Sequence, residues 1–343
     1  MSQPDTIGRN AQITAFLAHH GLGEAARAPL AGDASARRYE RIVRADGTRL
    51  ILMDTPVPGH DLIPFMAIGG DLADLGLSVP EVVAADAEAG LALLEDFGDG
   101  TFSRLLADGE DADALYELAT DVLVQLHRRF RPERAAALEL PVYDARLFAE
   151  QVMLFADVYV PVATGKPLAD ADRSALQAAW EAVIPDACAG PQSLLLRDYH
   201  VDNLMRLPRP GVAAGGLLDF QNAGLGPVAY DLVSLLEDAR RDVPAERAER
   251  MVARYLAAFP DLDADAFRRS YAVLGAVRHT RIVAVFARLA LQERRRGYLI
   301  HLPRVWRLLE AQLAKPALAP VRAWFDHHLP PGTRADFVIP EPD

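Results

Sequence analysis

Three polar side chains in the second half of the chain have types and spacing that could do chemistry together. Asp198 precedes Asn203 by five residues, and Asp219 follows Asn203 by sixteen. Carboxylate and amide oxygens are hard ligands suited to Mg²⁺, so Asn203 and Asp219 form a candidate magnesium site. The Asp198 carboxylate would then be left to accept a proton from a hydroxyl group. A single Asp and Asn at this spacing more often lie in a solvated loop. The surrounding sequence therefore has to decide between a functional site and such a loop.

The setting favours convergence of these side chains. Each lies at the end of a short apolar run, and the runs flank a Pro208-Arg209-Pro210-Gly211 turn. This pattern predicts a small hairpin within an otherwise helical region, with its polar residues at one edge. The apolar runs cover residues 194–196, 203–207 and 216–218.

The elements that must position this edge change character near residue 97. Strand-forming runs dominate before it, and the Asp46-Gly47 pair between the first two is a strong hairpin signal. Amphipathic helical patterns dominate after Thr101. We therefore predict an α+β fold with a small sheet-containing domain over 1–96 and a larger helical domain over 97–343. The predicted strands cover Arg38–Val43, 49–53, 79–85 and 91–95, and the predicted helices cover 7–20, 64–75, Ala112–Arg129, 145–159 and 170–183.

Composition excludes several classes of protein. The 343 residues are 51% hydrophobic, enough for a substantial core, and 48 acidic against 36 basic residues give a net charge of −12. Such a charge repels nucleic acid, so we expect no nucleic-acid partner. The single cysteine, Cys188, excludes an internal disulfide and paired-cysteine zinc motifs. Neither a signal peptide nor a membrane span is predicted, so we expect a cytoplasmic protein without a membrane partner.

The Asp198, Asn203 and Asp219 pattern resembles that of the protein-kinase-like phosphotransferases, within them the aminoglycoside and small-molecule kinases. A helix that opens with Tyr230-Asp231-Leu232 follows, as it does in that group. The resemblance implies a two-lobed fold with ATP between a small N-lobe and a helical C-lobe. It implies that Asp198 is the catalytic base and that Asn203 and Asp219 hold Mg²⁺ against the phosphates. Asp231 would brace the catalytic loop.

A closer resemblance, to bacterial cell-wall amino-sugar kinases, extends over most of the chain. That group phosphorylates the anomeric hydroxyl of N-acetylmuramate and N-acetylglucosamine, so a small amino sugar is the implied substrate. We expect the protein to be a monomer. The substrate contacts that we expect are Arg197, His200, Gln221, Asn222 and Asp238. The matching motifs are Gly32-Asp33-Ala34-Ser35, Arg37-Arg38-Tyr39, Leu52-Met53-Asp54, Leu94-Glu95-Asp96-Phe97-Gly98-Asp99, Arg197-Asp198-Tyr199-His200, Asn203-Leu204-Met205, Asp219-Phe220-Gln221 and Tyr230-Asp231-Leu232-Val233-Ser234-Leu235-Leu236.

The resemblance also implies a nucleotide site in the first domain. Gly32 and Ser35 would cover the phosphates through backbone N–H groups and the serine hydroxyl. Glu95 and Phe97 belong to the segment that would hold adenine as the hinge between the lobes. A solvated connector is an equally good interpretation of Glu95 from the residues alone.

One departure concerns the positive charge at the phosphates. Protein kinases place a lysine on the third strand, but Met53 stands in that run, and the only lysines are Lys166 and Lys315. An arginine from Arg37-Arg38 or Arg49 could supply the charge, or Mg²⁺ and backbone amides could act alone. We select Arg38 as the candidate.

Two alternatives remain open from the sequence. The same three residues would serve an aminoglycoside or other small-alcohol kinase, whose polycationic substrates need a carboxylate-lined pocket. The missing lysine would also suit a pseudokinase that binds nucleotide without catalysis, although retention of Asp198, Asn203 and Asp219 argues against it.

Overall fold

The computed structural model describes residues 6–30, 37–55, 61–330 and 334. The chain forms two compact units, each assembled from two segments. The first unit comprises Met1–Glu110 and Val201–Asn222, and the second comprises Asp111–His200 and Ala223–Asp343. Asn203 and Asp219 therefore belong to the first unit, and Asp198 belongs to the second.

Nine strands make three antiparallel sheets in the described part of the chain. The first unit contains a five-stranded sheet of order β1-β2-β3-β5-β4 and the β7–β8 hairpin, and the second contains the β6–β9 pair. The strands are β1 (Ala26–Pro29), β2 (Arg38–Val43), β3 (Arg49–Asp54), β4 (Val82–Asp86), β5 (Leu91–Glu95), β6 (Gln192–Leu195), β7 (Leu204–Arg206), β8 (Gly215–Leu217) and β9 (Gly224–Pro227).

The first three helices lie in the first unit and the others in the second. Three helices begin after an aspartate, Asp111, Asp144 or Asp263, whose carboxylate accepts a first-turn backbone N–H. The helices are α1 (Thr6–His19), α2 (Leu62–Asp74), α3 (Phe102–Ala107), α4 (Ala112–Arg129), α5 (Arg134–Ala137), α6 (Ala145–Val152), α7 (Val160–Thr164), α8 (Asp170–Glu181), α9 (Ile184–Cys188), α10 (Ala229–Leu236), α11 (Ala245–Ala258), α12 (Ala264–Gln292), α13 (Leu302–Leu313) and α14 (Ala319–His328). A π-helical turn (Phe155–Tyr159) and four 3₁₀ turns (Val201–Asn203, Gly211–Ala214, Arg296–His301, Pro316–Leu318) complete the set.

Side-chain alternation gives the five-stranded sheet two different faces. Ile42, Leu50 and Leu52 pack with Phe16 and Leu17 of α1 in one buried cluster. Because successive residues of a strand point to opposite faces, the odd-numbered residues of β2 lie on the face away from α1. This face, and not the α1 face, carries Tyr39 and Arg41.

The hairpin β7–β8 joins the first unit through bridges to residues outside the sheet's strands. Thr101 bridges to Met205, and Ser78 bridges to Gly216. The Leu217 amide also donates to the Ser78 carbonyl (2.8 Å). These contacts explain why the first unit extends past residue 96 to Glu110 and includes the hairpin. The compact units therefore have other bounds than the predicted domains 1–96 and 97–343. The β7–β8 hairpin was predicted, but the 194–196 run pairs with β9 instead.

One helical stretch, Ala145–Thr164, is long and apolar enough to cross a membrane. Its aromatic residues are nevertheless core residues of the second unit. Phe155 stacks on Tyr159 at 5.1 Å and on Phe325 at 5.2 Å between ring centroids. The Trp306 indole N–H donates to the Tyr159 hydroxyl (3.2 Å). Packing of this kind is typical of a core helix, so the stretch is weak support for a membrane span.

Candidate active site

The loop that carries Asp198 is held by the buried carboxylate of Asp231, in the first turn of α10. Asp231 accepts the backbone N–H groups of Leu196 (2.6 Å) and Arg197 (2.8 Å). Arg197 adopts a left-handed backbone with φ of 71°, which a non-glycine residue adopts only at a cost. The predicted bracing role of Asp231 is confirmed, because its two oxygens fix the strained residue that precedes Asp198.

Further contacts fix the residues on both sides of Asp198. The Ser234 hydroxyl donates to the Arg197 carbonyl (3.2 Å), and the buried Tyr199 hydroxyl donates to the Ala119 carbonyl (2.8 Å). The Asp198 amide itself donates to the Leu196 carbonyl (2.9 Å). The position of Asp198 is therefore set by backbone and core contacts within the second unit.

Positive charge surrounds the Asp198 carboxylate. Burial raises the pKa of Asp198. Neighbouring cationic groups lower this pKa by more than burial raises it, so it lies below the ordinary value of an aspartate. Asp198 is thus ionised at neutral pH and able to accept a proton. The groups that lower its pKa are, in decreasing order, Arg278, Arg197, His200 and Arg281.

The other predicted substrate residues of the second unit lie near Asp198 or near each other. His200 is buried, and burial lowers its pKa, which the charge of Asp238 opposes. Asp238 is buried and accepts the Arg240 backbone N–H (2.8 Å). The Arg197 guanidinium lies 5.1 Å from the centre of the Tyr143 ring. Their contact with a substrate stays a prediction.

Arg278 and Arg281 were not among the predicted site residues. Both lie on α12, three residues apart and hence on one helix face. Arg278 is only 4% exposed. An arginine within an apolar helical run was the available signal, because an arginine is rarely buried without a charged partner.

Asn203 and Asp219 leave the same end of the β7–β8 hairpin. Leu204 pairs with Leu217 in the hairpin, and the Leu218 amide donates to the Asn203 carbonyl (2.9 Å). Asp219 follows at once with a left-handed φ of 60°, and its side chain is 34% exposed. The backbone therefore brings Asn203 and Asp219, with its accessible carboxylate, to one end of this hairpin in the first unit.

The donor set at this end of the hairpin fits Mg²⁺. A carboxylate and an amide oxygen are hard ligands, and Mg²⁺ commonly combines one or two carboxylates with phosphate oxygens and water. Within the described residues, no cluster of three or more His, Cys, Asp or Glu side chains could hold a metal. Asn203 and Asp219 could therefore hold the ion only together with nucleotide phosphates and water.

Two side chains donate to the Asp219 carboxylate. The Arg37 guanidinium forms an ion pair with Asp219 Oδ1, and Gln221 Nε2 donates to the same oxygen (2.9 Å). Gln221 was predicted to contact substrate, but its amide lies on the predicted metal ligand. Asn222, the next predicted contact, is exposed. Arg37 is buried, and the structure brings it, and not Arg38, to Asp219.

The difference between Arg37 and Arg38 follows from the alternation of side chains between the two faces of the sheet. Arg38 opens β2 as an exposed residue opposite Asp54. Arg37 precedes it by one residue and so falls on the face away from α1, with Tyr39. Met53, in the run where the resemblance expects a lysine, is fully buried opposite Tyr39. A nucleotide-binding role for Arg38 stays a prediction without a contact that supports it.

Glu95 and Phe97 form a second cluster at the end of β5. The Arg209 guanidinium pairs with Glu95, donates to Ser78 Oγ (2.9 Å) and lies 5.3 Å from the centre of the Phe97 ring. The Glu95 side chain is therefore held by Arg209, a residue of the hairpin turn that the sequence analysis did not select. Gly32 and Ser35 lie outside the described residues.

Comparison with known proteins relates the chain to phosphotransferases. A model of the phosphotransferase enzyme family (APH) matches residues 27–269. A curated N-acetylmuramate/N-acetylglucosamine kinase of Caulobacter vibrioides is 38% identical over 95% of this chain and 98% of that protein. The kinase of the same name from Pseudomonas putida is 33% identical over 92% of each chain.

A solved structure confirms the predicted fold class. The GDP complex of aminoglycoside 2'-phosphotransferase-IIIa superposes with a TM-score of 0.62, over 89% of this chain and 98% of that chain. At 16% identity this likeness concerns the fold alone. The predicted protein-kinase-like α+β fold is therefore correct.

Proposed function

The chain belongs to the phosphotransferase enzyme family, and on that basis we propose that it phosphorylates the anomeric hydroxyl of N-acetylmuramate or N-acetylglucosamine with ATP. The observation that carries the proposal is the identity of 38% to a curated kinase of these two sugars, over 95% of the chain. In this proposal residues 1–96 cover the nucleotide, and residues 97–343 carry the sugar site. The enzyme acts as a cytoplasmic monomer on a small molecule.

In the proposed reaction the anomeric oxygen attacks the γ-phosphorus of ATP. A new oxygen–phosphorus bond forms, the bond to the bridging oxygen of ADP breaks, and the hydroxyl proton passes to the Asp198 carboxylate. Asp198 is suited to this role, because its loop is fixed and it is ionised at neutral pH. Asn203 and Asp219 would hold Mg²⁺, which when bound neutralises charge on the phosphate oxygens.

The charges around Asp198 support an amino sugar over a polycationic antibiotic. Arg278, Arg197 and Arg281 all lie close enough to lower the Asp198 pKa. Positive charge there attracts the lactyl carboxylate of N-acetylmuramate and repels the ammonium groups of an aminoglycoside. The same arginines leave the neutral N-acetylglucosamine unaffected by charge, so we expect N-acetylmuramate to bind more tightly of the two.

The test uses the purified full chain with ATP, Mg²⁺ and each sugar. We expect ADP to form with N-acetylmuramate and N-acetylglucosamine, and ADP formation to stop in EDTA. Phosphorus NMR of the product should show coupling to the anomeric proton. The 1-O-methyl glycosides should be inert, since their attacking oxygen is blocked. Turnover of a methyl glycoside, or of kanamycin in preference to both sugars, would contradict the proposal and favour an alcohol or aminoglycoside kinase.

A further inference from the structure

One divalent ion leaves part of the charge of the ATP triphosphate unneutralised, so a cation from the protein would strengthen its binding. The chain has no lysine before Lys166, so in the first unit such a cation is an arginine. Arginine suits the role, since its guanidinium stays charged and matches phosphate oxygens with two parallel N–H groups. The question is which arginine of the first unit is placed to do so.

Most well-placed arginines of the first unit are already engaged with carboxylates that hold the fold together. Arg41 binds the nearly buried Asp96 (2.7 Å), and Arg9 ties α1 to Asp54 at the end of β3 (2.6 Å). Recruiting either one to a ligand would break a contact between elements. Pairs of this kind in the described residues include Arg9–Asp54, Arg27–Glu40, Arg41–Asp96, Arg49–Asp96 and Arg209–Glu95.

Arg37 differs because its carboxylate partner is a predicted metal ligand. Its guanidinium lies on Asp219, on the sheet face away from α1, and its side chain is only 7% exposed. A buried guanidinium needs a counter-charge, and the Asp219 carboxylate supplies one.

We propose that Arg37 binds the nucleotide phosphates, and that Asp219 holds its guanidinium until Mg²⁺ and the nucleotide arrive. The inference rests on the proposed kinase function. Mg²⁺ and Arg37 compete for the same Asp219 carboxylate, so binding of the metal weakens the ion pair. The guanidinium then exchanges a carboxylate for phosphate oxygens, and neither charge is left buried without a counter-charge.

The exchange predicts that loss of Arg37 weakens the binding of MgATP and strengthens the binding of a metal ion without nucleotide. Arg37→Gln removes the positive charge and keeps an N–H donor for Asp219, and Arg37→Ala removes both. We expect either variant to weaken MgATP binding roughly 10- to 100-fold in calorimetry, the loss of one hydrogen bond to a charged group. Adenosine, which has no phosphates, should bind as in the wild type. In the absence of nucleotide, Mn²⁺ should bind more tightly by electron paramagnetic resonance, because Asp219 is no longer neutralised.

Two further variants control the experiment. Arg27→Gln breaks an arginine–carboxylate pair of the same sheet, with Glu40, and should leave all three affinities unchanged. Adding Asp219→Ala to Arg37→Gln should abolish the gain in Mn²⁺ affinity, since that gain passes through Asp219. If Arg37→Ala fails to fold, Arg37→Gln decides the matter.

The outcomes separate this inference from the proposed function. Equal MgATP affinity in Arg37→Gln and in the wild type would overturn the role of Arg37. A loss of MgATP affinity in Arg38→Ala, with Arg37→Gln unaffected, would return the role to Arg38. Parallel losses of adenosine, MgATP and Mn²⁺ binding in Arg37→Gln would show a merely structural role. A wild type that binds MgATP but phosphorylates neither sugar would contradict only the proposed function.

Discussion

The Asp198 loop of the second unit and the Asp219 segment of the first are held in different ways. Backbone N–H groups fix the loop to the buried Asp231 at 2.6 and 2.8 Å, whereas a side-chain ion pair with Arg37 holds the Asp219 carboxylate. A substrate cannot replace backbone hydrogen bonds inside a core, but a metal ion and phosphates can replace a guanidinium. The proposed base is therefore positioned before ligands bind, and the proposed metal site is exchangeable.

Both regions contain a residue with left-handed backbone next to or at the predicted functional group. Arg197 has φ of 71° and Asp219 has φ of 60°. Such conformations cost non-glycine residues roughly 1 kcal/mol or more each, so the surrounding contacts must offset them. The Asp231 and Ser234 contacts do so for Arg197, and the hydrogen bonds of the hairpin end do so for Asp219.

The largest expected effect comes from removing the proposed base. Asp198→Asn keeps the shape of the side chain and leaves the loop contacts in place, so folding and MgATP affinity should stay close to the wild type. Turnover should fall roughly 10²- to 10⁴-fold, the usual range for a positioned acid–base group. Steady-state ADP release with N-acetylmuramate measures it. Turnover near that of the wild type would show that Asp198 does not act on the hydroxyl proton.

A smaller effect is expected from weakening the support of the loop. Asp231→Asn replaces one accepting oxygen by an NH₂ group, so one of the two backbone N–H groups loses its partner. We expect the free energy of unfolding to fall by about 1–3 kcal/mol, the cost of leaving a buried hydrogen-bond donor without an acceptor. Turnover should fall by up to roughly 10²-fold through misplacement of Asp198, with MgATP affinity unchanged.

The matched control for Asp231 is a surface carboxylate of the same unit. Asp242 is paired with Arg304 (2.9 Å), and its side chain is 66% exposed. Asp242→Asn should change the free energy of unfolding by less than about 1 kcal/mol, as exposed ion pairs do, and should leave turnover unaltered. A loss of MgATP affinity in Asp231→Asn as large as its loss of turnover would break the distinction between the fixed loop and the exchangeable site.

Local patterns in the sequence predicted four strands of the five-stranded sheet and five of the helices. The strand run Arg38–Val43 and the helix Ala112–Arg129 have the predicted bounds. Both are set by short-range signals. The Asp46-Gly47 turn joins β2 to β3, and the Asp111 carboxylate caps the helix. The bracing role of Asp231 was implied by the resemblance and is visible as two hydrogen bonds.

Long-range contacts were the part that the sequence could not predict. The choice between Arg37 and Arg38 depends on which sheet face α1 covers, and a one-residue change in alternation reverses it. The pairing of β6 with β9 requires knowledge of a partner 29 to 35 residues away along the chain, from Leu195 with Gly224 to Gln192 with Pro227. Arg278 and Arg281 come near Asp198 only through the packing of α12. The apolar run around Arg278 could indicate that this arginine is buried, but not which carboxylate lies near it.

The smallest effect concerns the charges that surround the fixed base. The Arg281 cation lowers the pKa of Asp198, and it is the last of the four contributions after Arg278, Arg197 and His200. A base must be ionised to act, so kcat/KM falls as pH falls through the pKa of Asp198. Arg281→Gln removes one nearby positive charge and raises that pKa, which moves the acid limb of the kcat/KM profile to higher pH. Arg269→Gln, an exposed position of the same helix, is the control and should leave the profile in place. An acid limb that moves to lower pH in Arg281→Gln, or moves equally in both variants, would show that the charge around Asp198 does not govern its ionisation.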